Sequence, residues 1–193
     1  MYVEFIARDP AMPVEIFHAL GGQGAWRDSR DPLYGQITRT AGLGPHPCSI
    51  AFCEFTSMKR MDEWEAHFRS AQHQADKGMH AKHQAIHHYV AGCYDELMPS
   101  SRLTGGLYLV DFCRLGAGDP ARQIAAWQAA RADLTLHLAI ARIGLLGPDP
   151  GALLVWGAPS LAALGPLLNP GLPTGPLVPA CQGIYRDFGR GDP

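Results

Sequence analysis

Short apolar blocks alternate with turns rich in Gly and Pro along the chain, and the blocks are of two kinds. Some are compact and rich in β-branched and aromatic residues, which is typical of strands. In others the apolar residues recur every third or fourth position, as Met61, Trp64 and Phe68 do, which is typical of a helix with one buried face. In chain order the blocks predict strand, helix, strand, strand, helix and strand, and then the same series again.

Turn and capping residues give the predicted elements approximate limits. Ser57 and Asp119 are suited to begin helices as N-caps, and Asp119 is followed by Pro120 at the first helical position. The predicted strands cover 2–7, 34–42, 48–55, 85–94, 107–113, 136–144, 152–157 and 180–188, and the predicted helices cover 12–20, 57–84, 121–134 and 161–168.

The chain also repeats itself residue by residue. Segment 33–39 matches 136–142 and segment 44–47 matches 147–150, and both pairs are 103 positions apart (136 − 33 and 147 − 44). Val3-Glu4-Phe5 is matched by Val110-Asp111-Phe112. A βαββαβ unit forms an antiparallel sheet with both helices on one face, so two such units can cover each other's bare faces.

We therefore predict an α+β fold of two tandem ferredoxin-like βαββαβ units whose antiparallel sheets pack into one intrachain α+β barrel. The first unit covers residues 1–98, a linker covers 99–106, and the second unit covers 107–193. The space between the two sheets is the expected cavity for a small-molecule ligand.

Composition narrows the classes of function. The 193 residues carry a formal net charge of −2 and contain no basic run, which argues against binding to nucleic acid. Hydrophobic residues make up 47% of the chain, but no apolar run reaches the roughly 20 residues that a membrane helix needs. We expect a cytoplasmic protein without a membrane partner, and the sequence leaves open whether it forms a homodimer.

In this arrangement of elements the chain resembles the dimeric α+β barrel superfamily in a fused, tandem-duplicated form, near its antibiotic-biosynthesis monooxygenase and ether-degradation-associated groups. Ser70-Ala71-Gln72-His73 resembles a Ser-Pro-x-His turn of several groups, whose histidine faces the barrel mouth. The resemblance implies a cofactor-independent monooxygenase, cyclase or isomerase that acts on an aromatic or polyketide-like compound, with His73 as a catalytic residue.

Three strand carboxylates are candidate acid/base groups. Because side chains alternate along a strand, Glu4 and Asp111 face the opposite sheet if their Val and Phe neighbours face the helices. Glu54 follows the same logic, and the position 103 residues later is Gly157. Burial raises the pKa of a carboxyl group and suits it to proton transfer, whereas pairing of these acids with arginines is the alternative explanation.

Further polar residues are expected to line the cavity. Tyr34 and His137 occupy matching positions on the second strand of each unit, and Gln36 follows Tyr34 on the same predicted face. Ala139 and Ala141 are expected to give the second sheet an apolar inner face. On the fourth strand we expect His87 and Tyr89 to point inward, with His87 and Tyr34 as catalytic candidates, and Trp26 lies on a long loop where it can contact substrate.

A histidine series gives the alternative function. His73, Asp76, His80, His83 and His87 are spaced by three or four positions, so a continuous helix places them on one face. A solvated polar face explains this spacing, and so does a haem- or metal-binding protein that uses a histidine of the 73–88 stretch, with His80, His83 and His87 as candidate metal ligands. A non-catalytic carrier of small molecules is a third hypothesis. The leading hypothesis requires no cofactor.

Overall fold

The fold was taken from a computed structural model of the chain. For strand residues 2–9, 33–39, 49, 51–55, 87–93 and 187, the description covers the main chain only. The structure describes residues 2–9, 33–39, 49–55, 57–59, 62–63, 66, 87–101, 103, 106–144, 151–167 and 171–187.

The described part of the chain contains eight strands, two helices with defined limits and further helical residues at 58–59, 62–63 and 66, which confirms a mixed α+β fold. The helices are α1 (Ala121–Ala130) and α2 (Leu161–Leu164), and α2 continues into a 3₁₀ turn at Gly165–Leu167. The strands are β1 (Tyr2–Asp9), β2 (Leu33–Arg39), β3 (Ser49–Phe55), β4 (His87–Glu96), β5 (Leu107–Leu115), β6 (Thr135–Arg142), β7 (Ala152–Ala158) and β8 (Leu177–Asp187).

The strands form a closed barrel in the order β1-β3-β2-β8-β5-β7-β6-β4, and β4 pairs again with β1. All of the pairings are antiparallel. Within this order β4-β1-β3-β2 and β8-β5-β7-β6 are the same arrangement of strands, with every number raised by four. None of the helices in the described residues is long and apolar enough to cross a membrane.

α1 begins at Ala121 as predicted, but its N-cap residue and its end differ from the sequence prediction. Pro120 is the N-cap, and Asp119 instead accepts a hydrogen bond from the backbone N–H of Ala121 at 2.9 Å. The helix was predicted to reach residue 134 but ends at Ala130, because Arg131 leaves helical geometry (φ −121°, ψ 45°). The side chain of Arg131 is directed into a buried ion pair that helical periodicity does not anticipate.

Two apolar cores lie on the two sides of the barrel wall. On the outer side α1 packs against the wall through Ile124 and Trp127. The interior core is formed by buried residues of six strands and of the segment after β4: Ile50, Tyr94, Leu103, Tyr108, Val110, Phe112, Leu138, Ile140, Leu153, Val155 and Tyr185.

A β-bulge in β6 reverses a prediction about its faces. The register against β7 shifts between Leu136 and Leu138, so His137 is the extra residue. After the bulge Leu138 and Ile140 lie in the interior core, whereas Ala139 and Ala141 pack on the helix side. The expectation that Ala139 and Ala141 line the cavity was wrong, because simple alternation from His137 takes no account of an inserted residue.

Strand registers of the second half repeat those of the first with constant offsets. The bulge in β2 falls at Tyr34, opposite Cys53 and Phe52, and the bulge in β6 falls at His137, opposite Trp156 and Val155. Each of these positions moves by 103 (137 − 34, 156 − 53 and 155 − 52). The spacing found in the sequence therefore recurs in the hydrogen-bonded registers of β2–β3 and β6–β7.

The proposed match between the first strands of the two units needs a correction of two residues. Val3 pairs with Glu54 and Tyr94. β3 and β7 differ by 103 residues, so Glu54 corresponds to Gly157. The partner of Gly157 on β5 is Tyr108, and Val3 therefore corresponds to Tyr108 and not to Val110. Tyr108 also pairs with Tyr185, as Val3 pairs with Tyr94. The offset of the first strands is thus 105 (108 − 3), so Glu4 and Asp111 are not equivalent positions.

Antiparallel pairing around the closed barrel fixes which strand ends meet. β1, β2, β5 and β6 run in one direction, and β3, β4, β7 and β8 run in the other. One end of the barrel is therefore built from the starts of β1, β2, β5 and β6 and from the ends of the other four strands. We call this end of the barrel the mouth.

Candidate functional site

The mouth brings together several of the predicted site residues along the main chain. Tyr34 is the second residue of β2, Glu54 is the last but one of β3, and His137 is the third of β6. Glu4 lies near the same end and pairs with Cys53. These positions come from distant parts of the chain and lie at the same end of the barrel because the barrel closes.

Other predicted residues lie deeper in the barrel or at its opposite end. His87 is the first residue of β4 and pairs with Asp9, the last residue of β1. At about 3.3 Å per residue it is roughly 23 Å from Tyr94 along the strand. Tyr89 pairs with Ala7, and Gln36 lies in the middle of β2. His87 and His137 therefore do not belong to one compact site.

His137 has the most completely described surroundings at the mouth. Its Nδ1 lies 2.8 Å from the hydroxyl oxygen of Ser101. Its ring meets the edge of the Tyr108 ring with centroids 5.8 Å apart and planes at 74°. On the other side a Cβ added to Gly157 would lie 2.4 Å from Nε2, so the imidazole rests directly on glycine backbone. Tyr108 belongs to the interior core, which places the imidazole on the inner side of the wall.

Burial lowers the pKa of His137 below its ordinary value of 6.5, so the neutral imidazole is the dominant form near neutral pH. A neutral imidazole has one N–H and one free lone pair. When the Ser101 hydroxyl accepts the proton of Nδ1, Nε2 keeps its lone pair and can act as a proton acceptor. In that tautomer the pair has the components of a general base.

Tyrosines supply most of the polar groups of the described interior. Tyr94, Tyr108 and Tyr185 are fully or almost fully buried in the interior core beside Phe112. The rings of Phe112 and Tyr185 are 6.3 Å apart and tilted by 49°. Aromatic faces with few hydroxyl groups and one imidazole suit a planar apolar compound better than a charged one.

Asp111 does not face the interior, contrary to the prediction. Val110 and Phe112 occupy the interior core, so the carboxylate between them points to the helix side. There Arg131 donates to both of its oxygens, through Nη1 to Oδ2 and through Nη2 to Oδ1, the latter at 3.2 Å. The alternative explanation, pairing with an arginine, is therefore confirmed for Asp111.

Two further donors complete the surroundings of Asp111. Trp156 Nε1 donates to Oδ2 at 2.7 Å and Gln182 Nε2 donates to Oδ1 at 2.6 Å. The guanidinium of Arg131 lies 4.8 Å from the ring centroid of Trp156 and 5.7 Å from that of Trp127. A carboxylate that is saturated by donors and closed off from solvent is suited to hold α1 on the sheet and is not exposed to a substrate.

A groove of about 490 Å³ lies on the helix side, between the loop at 171–175 and β8. Its walls are mostly Pro, Gly and apolar side chains over Trp127, and its polar side chains include Gln182 and Cys181. The amide of Gln182 already donates to Asp111, and burial raises the pKa of the Cys181 thiol, which disfavours the thiolate. The groove has fewer reactive groups than the mouth.

Of the histidine series, His87 is the first residue of β4. Among the described residues no group of three or more His, Cys, Asp and Glu side chains could hold a metal ion. The candidates that lie outside the described residues are His73, His80, His83 and Trp26.

Sequence reasoning missed Ser101 and Leu103, which were assigned to a linker. A serine and a leucine near Pro and Gly carry no periodic signal, so no pattern marks them. Arg131 and Trp156 were missed for another reason. Each lies in a segment for which periodicity predicted only the type of element and not the partners of its side chains. A buried arginine becomes visible only when its carboxylate partner is known.

The search for relatives found none: no family model and no curated protein matches the chain.

Proposed function

We propose that the protein is a small-molecule enzyme of the α+β barrel type that moves a proton on an aromatic or polyketide-like compound bound at the mouth. This proton transfer is the chemical step shared by isomerases and cyclases, and it is the first step of oxygenation without a cofactor. The observation that carries the proposal is the neutral, partly buried His137, bonded to Ser101 on the inner side of a barrel end lined by tyrosines.

The constant register offsets support two tandem ferredoxin-like units as the scaffold. The two seams between the halves also correspond. Arg39 pairs with Tyr185 across one seam and Arg142 pairs with Tyr94 across the other, and these positions differ by 103 (142 − 39) and 91 (185 − 94). An approximate two-fold relation between a first and a second βαββαβ unit accounts for this correspondence.

The two units then contribute unequal residues to one mouth. The bulge that carries His137 in the second unit carries Tyr34 in the first, and Glu54 takes the position of Gly157. A site built from both halves therefore has one imidazole, one phenol and one carboxylate at related strand positions. We propose His137 as the proton acceptor and Glu54 and Tyr34 as candidate partners in the return of the proton.

In the proposed step Nε2 of His137 takes a proton from an acidic carbon of the bound compound, which leaves the electron pair on the conjugated ring system. The imidazolium returns the proton at another atom of the same compound. Aromatic walls exclude water and favour a delocalised anion over a localised one, and the hydrogen bond to Ser101 orients the imidazole ring.

Deuterium exchange at the methylene carbon of anthrone, followed by proton NMR, tests the proposal. The wild-type protein should accelerate this exchange, and His137→Gln should slow it about 100-fold, the size expected for loss of a general base. Gln128→Ala, on the exposed surface of α1, is the matched control and should exchange at the wild-type rate. Equal rates for the wild type and His137→Gln would contradict the proposal.

The alternatives give different results in the same preparation. A Soret band or stoichiometric metal that is lost on substitution of His80, His83 or His87 favours the haem or metal protein. Binding of anthrone without any exchange of its protons favours a carrier.

A further inference from the structure

Between β4 and β5, the described residues 97–101 and 103 stay against the barrel wall at the mouth. Leu97 N–H donates to the carbonyl of Ala139 at 2.9 Å, and Ser101 N–H donates to the carbonyl of His137 at 2.8 Å. These bonds fasten the segment along β6. We call Leu97–Ser101 together with Leu103 the strap.

The strap inserts one apolar side chain into the barrel. Leu103 is 7% exposed and belongs to the interior core together with Tyr94, Tyr108 and Leu138. Gly106 follows with φ +136°, a backbone conformation that other residues rarely adopt, and the chain then enters β5. Leu103 thus occupies interior space at the end of the barrel where the proposed base lies.

Ser101 couples the strap to that base. Its N–H donates to the main chain of His137 and its hydroxyl is hydrogen-bonded to Nδ1 of the same residue. Ser101 itself is solvent-exposed, so these bonds compete with water and can open without unfolding the barrel. The buried hydroxyl of Ser100 has no hydrogen-bond partner among the described residues, so one polar group of the strap is unsatisfied in the closed position.

We propose that Leu103 is the residue that limits the size of the ligand, and that Ser101 holds Leu103 in the mouth through its bonds to His137. This inference rests on the proposed function, because it places the ligand beside His137. We expect a ligand with one ring to bind beside Leu103, and a ligand with three fused rings, such as anthrone, to bind more weakly because it must displace Leu103. Ser101 is accordingly a positioning residue for both the strap and the imidazole.

Hydrogen exchange tests the mobility of the strap without any ligand. In the full-length protein, Ser101→Ala should speed the exchange of the residue 101 amide about two- to tenfold, the effect of one ordinary hydrogen bond. Leu103→Ala should also speed the exchange of the residue 101 amide, and by more than Leu164→Ala does. Leu164→Ala is the matched control, because it removes another buried leucine, from the helix-side core. If Leu103→Ala and Leu164→Ala change the residue 101 amide equally, Leu103 is an ordinary core residue and the inference is overturned.

Calorimetric titration with phenol, 1-naphthol and anthrone tests the size limit. In Leu103→Ala the ratio of the affinity for anthrone to the affinity for phenol should be at least tenfold higher than in the wild type. The volume-conserving Leu103→Met should keep the wild-type ratio. Leu164→Ala should also keep that ratio, which separates a size effect from a general loss of stability.

The outcomes separate the inference from the function on which it rests. Wild-type binding and turnover of anthrone with an unchanged ratio in Leu103→Ala overturns the size limit and leaves the proposed enzyme standing. A changed ratio with no effect of His137→Gln on proton exchange leaves the size limit standing and overturns the proposed catalysis. Absence of binding by every variant overturns both.

Discussion

Asp111 and His137 are both polar residues on strands of the second half, and they lie on opposite sides of the barrel wall. Asp111 is 0% exposed and accepts hydrogen bonds from three side chains, whereas His137 lies at the mouth with part of its surface open. Their partners determine their chemistry. Asp111 is saturated and is suited to structure, and His137 retains a nitrogen that can exchange a proton.

Substitution of Asp111 should reveal its structural role. In Asp111→Asn one oxygen is replaced by an N–H group that faces donors, and Arg131 is left as a buried charge without its counter-ion. We expect a loss of about 3–5 kcal/mol in the free energy of unfolding. Urea denaturation measures this loss, and Asp133→Asn on the exposed surface should change the value by less than about 0.5 kcal/mol. A small loss in Asp111→Asn would show that the ion pair contributes little.

The pKa of His137 predicts how stability changes with pH. Because burial lowers this pKa below 6.5, the unfolded chain binds a proton more readily than the folded protein in the window just below 6.5. The free energy of unfolding should therefore fall as the pH drops through that window, and above it His137 should have no effect. His137→Gln removes this contribution, so the wild type should lose more stability than the variant between about pH 7.5 and about pH 5. Urea titrations at both values give the difference, and parallel losses would contradict it.

Gly157 should control the position of the imidazole. A Cβ at this position would lie 2.4 Å from Nε2 of His137, so in Gly157→Ala the ring must turn away from the wall. Loss of burial should raise the pKa of His137 toward its ordinary value, which NMR titration of the ring protons measures. Gly165→Ala is the control, because nothing lies within 4 Å of the added Cβ. An unchanged pKa in Gly157→Ala would mean that the ring keeps its burial.

At the scale of elements, all eight strands were predicted from short apolar blocks, and the errors lie at ends and bulges. β8 begins at Leu177, three residues earlier than predicted (180 − 177), although Pro179 lies within it. A bulge at this part of the β5–β8 pairing shifts the register between Phe112 and Cys113. Proline is tolerated at bulges and strand edges, so the strand can include Pro179 and begin at Leu177.

α1 is attached to β8 by a buried glutamine. Gln123 Oε1 accepts from Leu177 N–H at 2.7 Å, and its Nε2 donates to the carbonyls of Leu177 at 2.7 Å and Pro173 at 3.0 Å. The side chain therefore satisfies backbone groups at the start of β8 as a neighbouring strand would.

Removal of this side chain should loosen the start of β8. In Gln123→Ala three hydrogen bonds are lost and the buried backbone groups of Leu177 are left unpaired, so we expect a loss of about 1–3 kcal/mol. Hydrogen exchange of the Leu177 amide should become faster than that of Leu109 in the centre of β5. Gln128→Ala on the exposed side of α1 should leave both amides unchanged. Equal exchange of Leu177 in the two variants would contradict this role of Gln123.

At the scale of the whole molecule, the barrel closes only through pairing between the two halves. β2 pairs with β8 through residues 37–39 and 185–187, and β4 pairs with β6 through residues 94–96 and 140–142. Side chains of both halves also share the interior core, where Ile50 and Tyr94 lie beside Tyr108 and Leu153. Opening either half therefore exposes the apolar surface of the other.

This sharing predicts one cooperative unfolding transition for the whole chain. Calorimetric and van't Hoff enthalpies should agree, and Asp111→Asn should shift the entire transition to lower temperature without splitting it. Two resolved transitions, with only the lower one shifted by Asp111→Asn, would show that the halves unfold as separate domains.

The candidate site illustrates how far sequence reasoning reaches. The 103-residue repeat matched Tyr34 with His137 and Glu54 with Gly157, and the same pairs recur in the strand registers. Ser101 and Leu103 could not be predicted as neighbours of His137. Their contacts depend on where the linker lies once the barrel has closed, and no local pattern records that path.

The sequence by itself determined the strands and the 103-residue spacing, because apolar periodicity, turn residues and repeats are local properties that the chain carries in its own order. Only the tertiary structure decided the face of Asp111, the phase of β6 and the position of Leu103 at the mouth. One bulge inverts every later side chain of a strand, and a buried ion pair depends on residues that are distant in sequence. These features are determined when the barrel closes, because only then do the competing contacts form between residues that are distant in sequence.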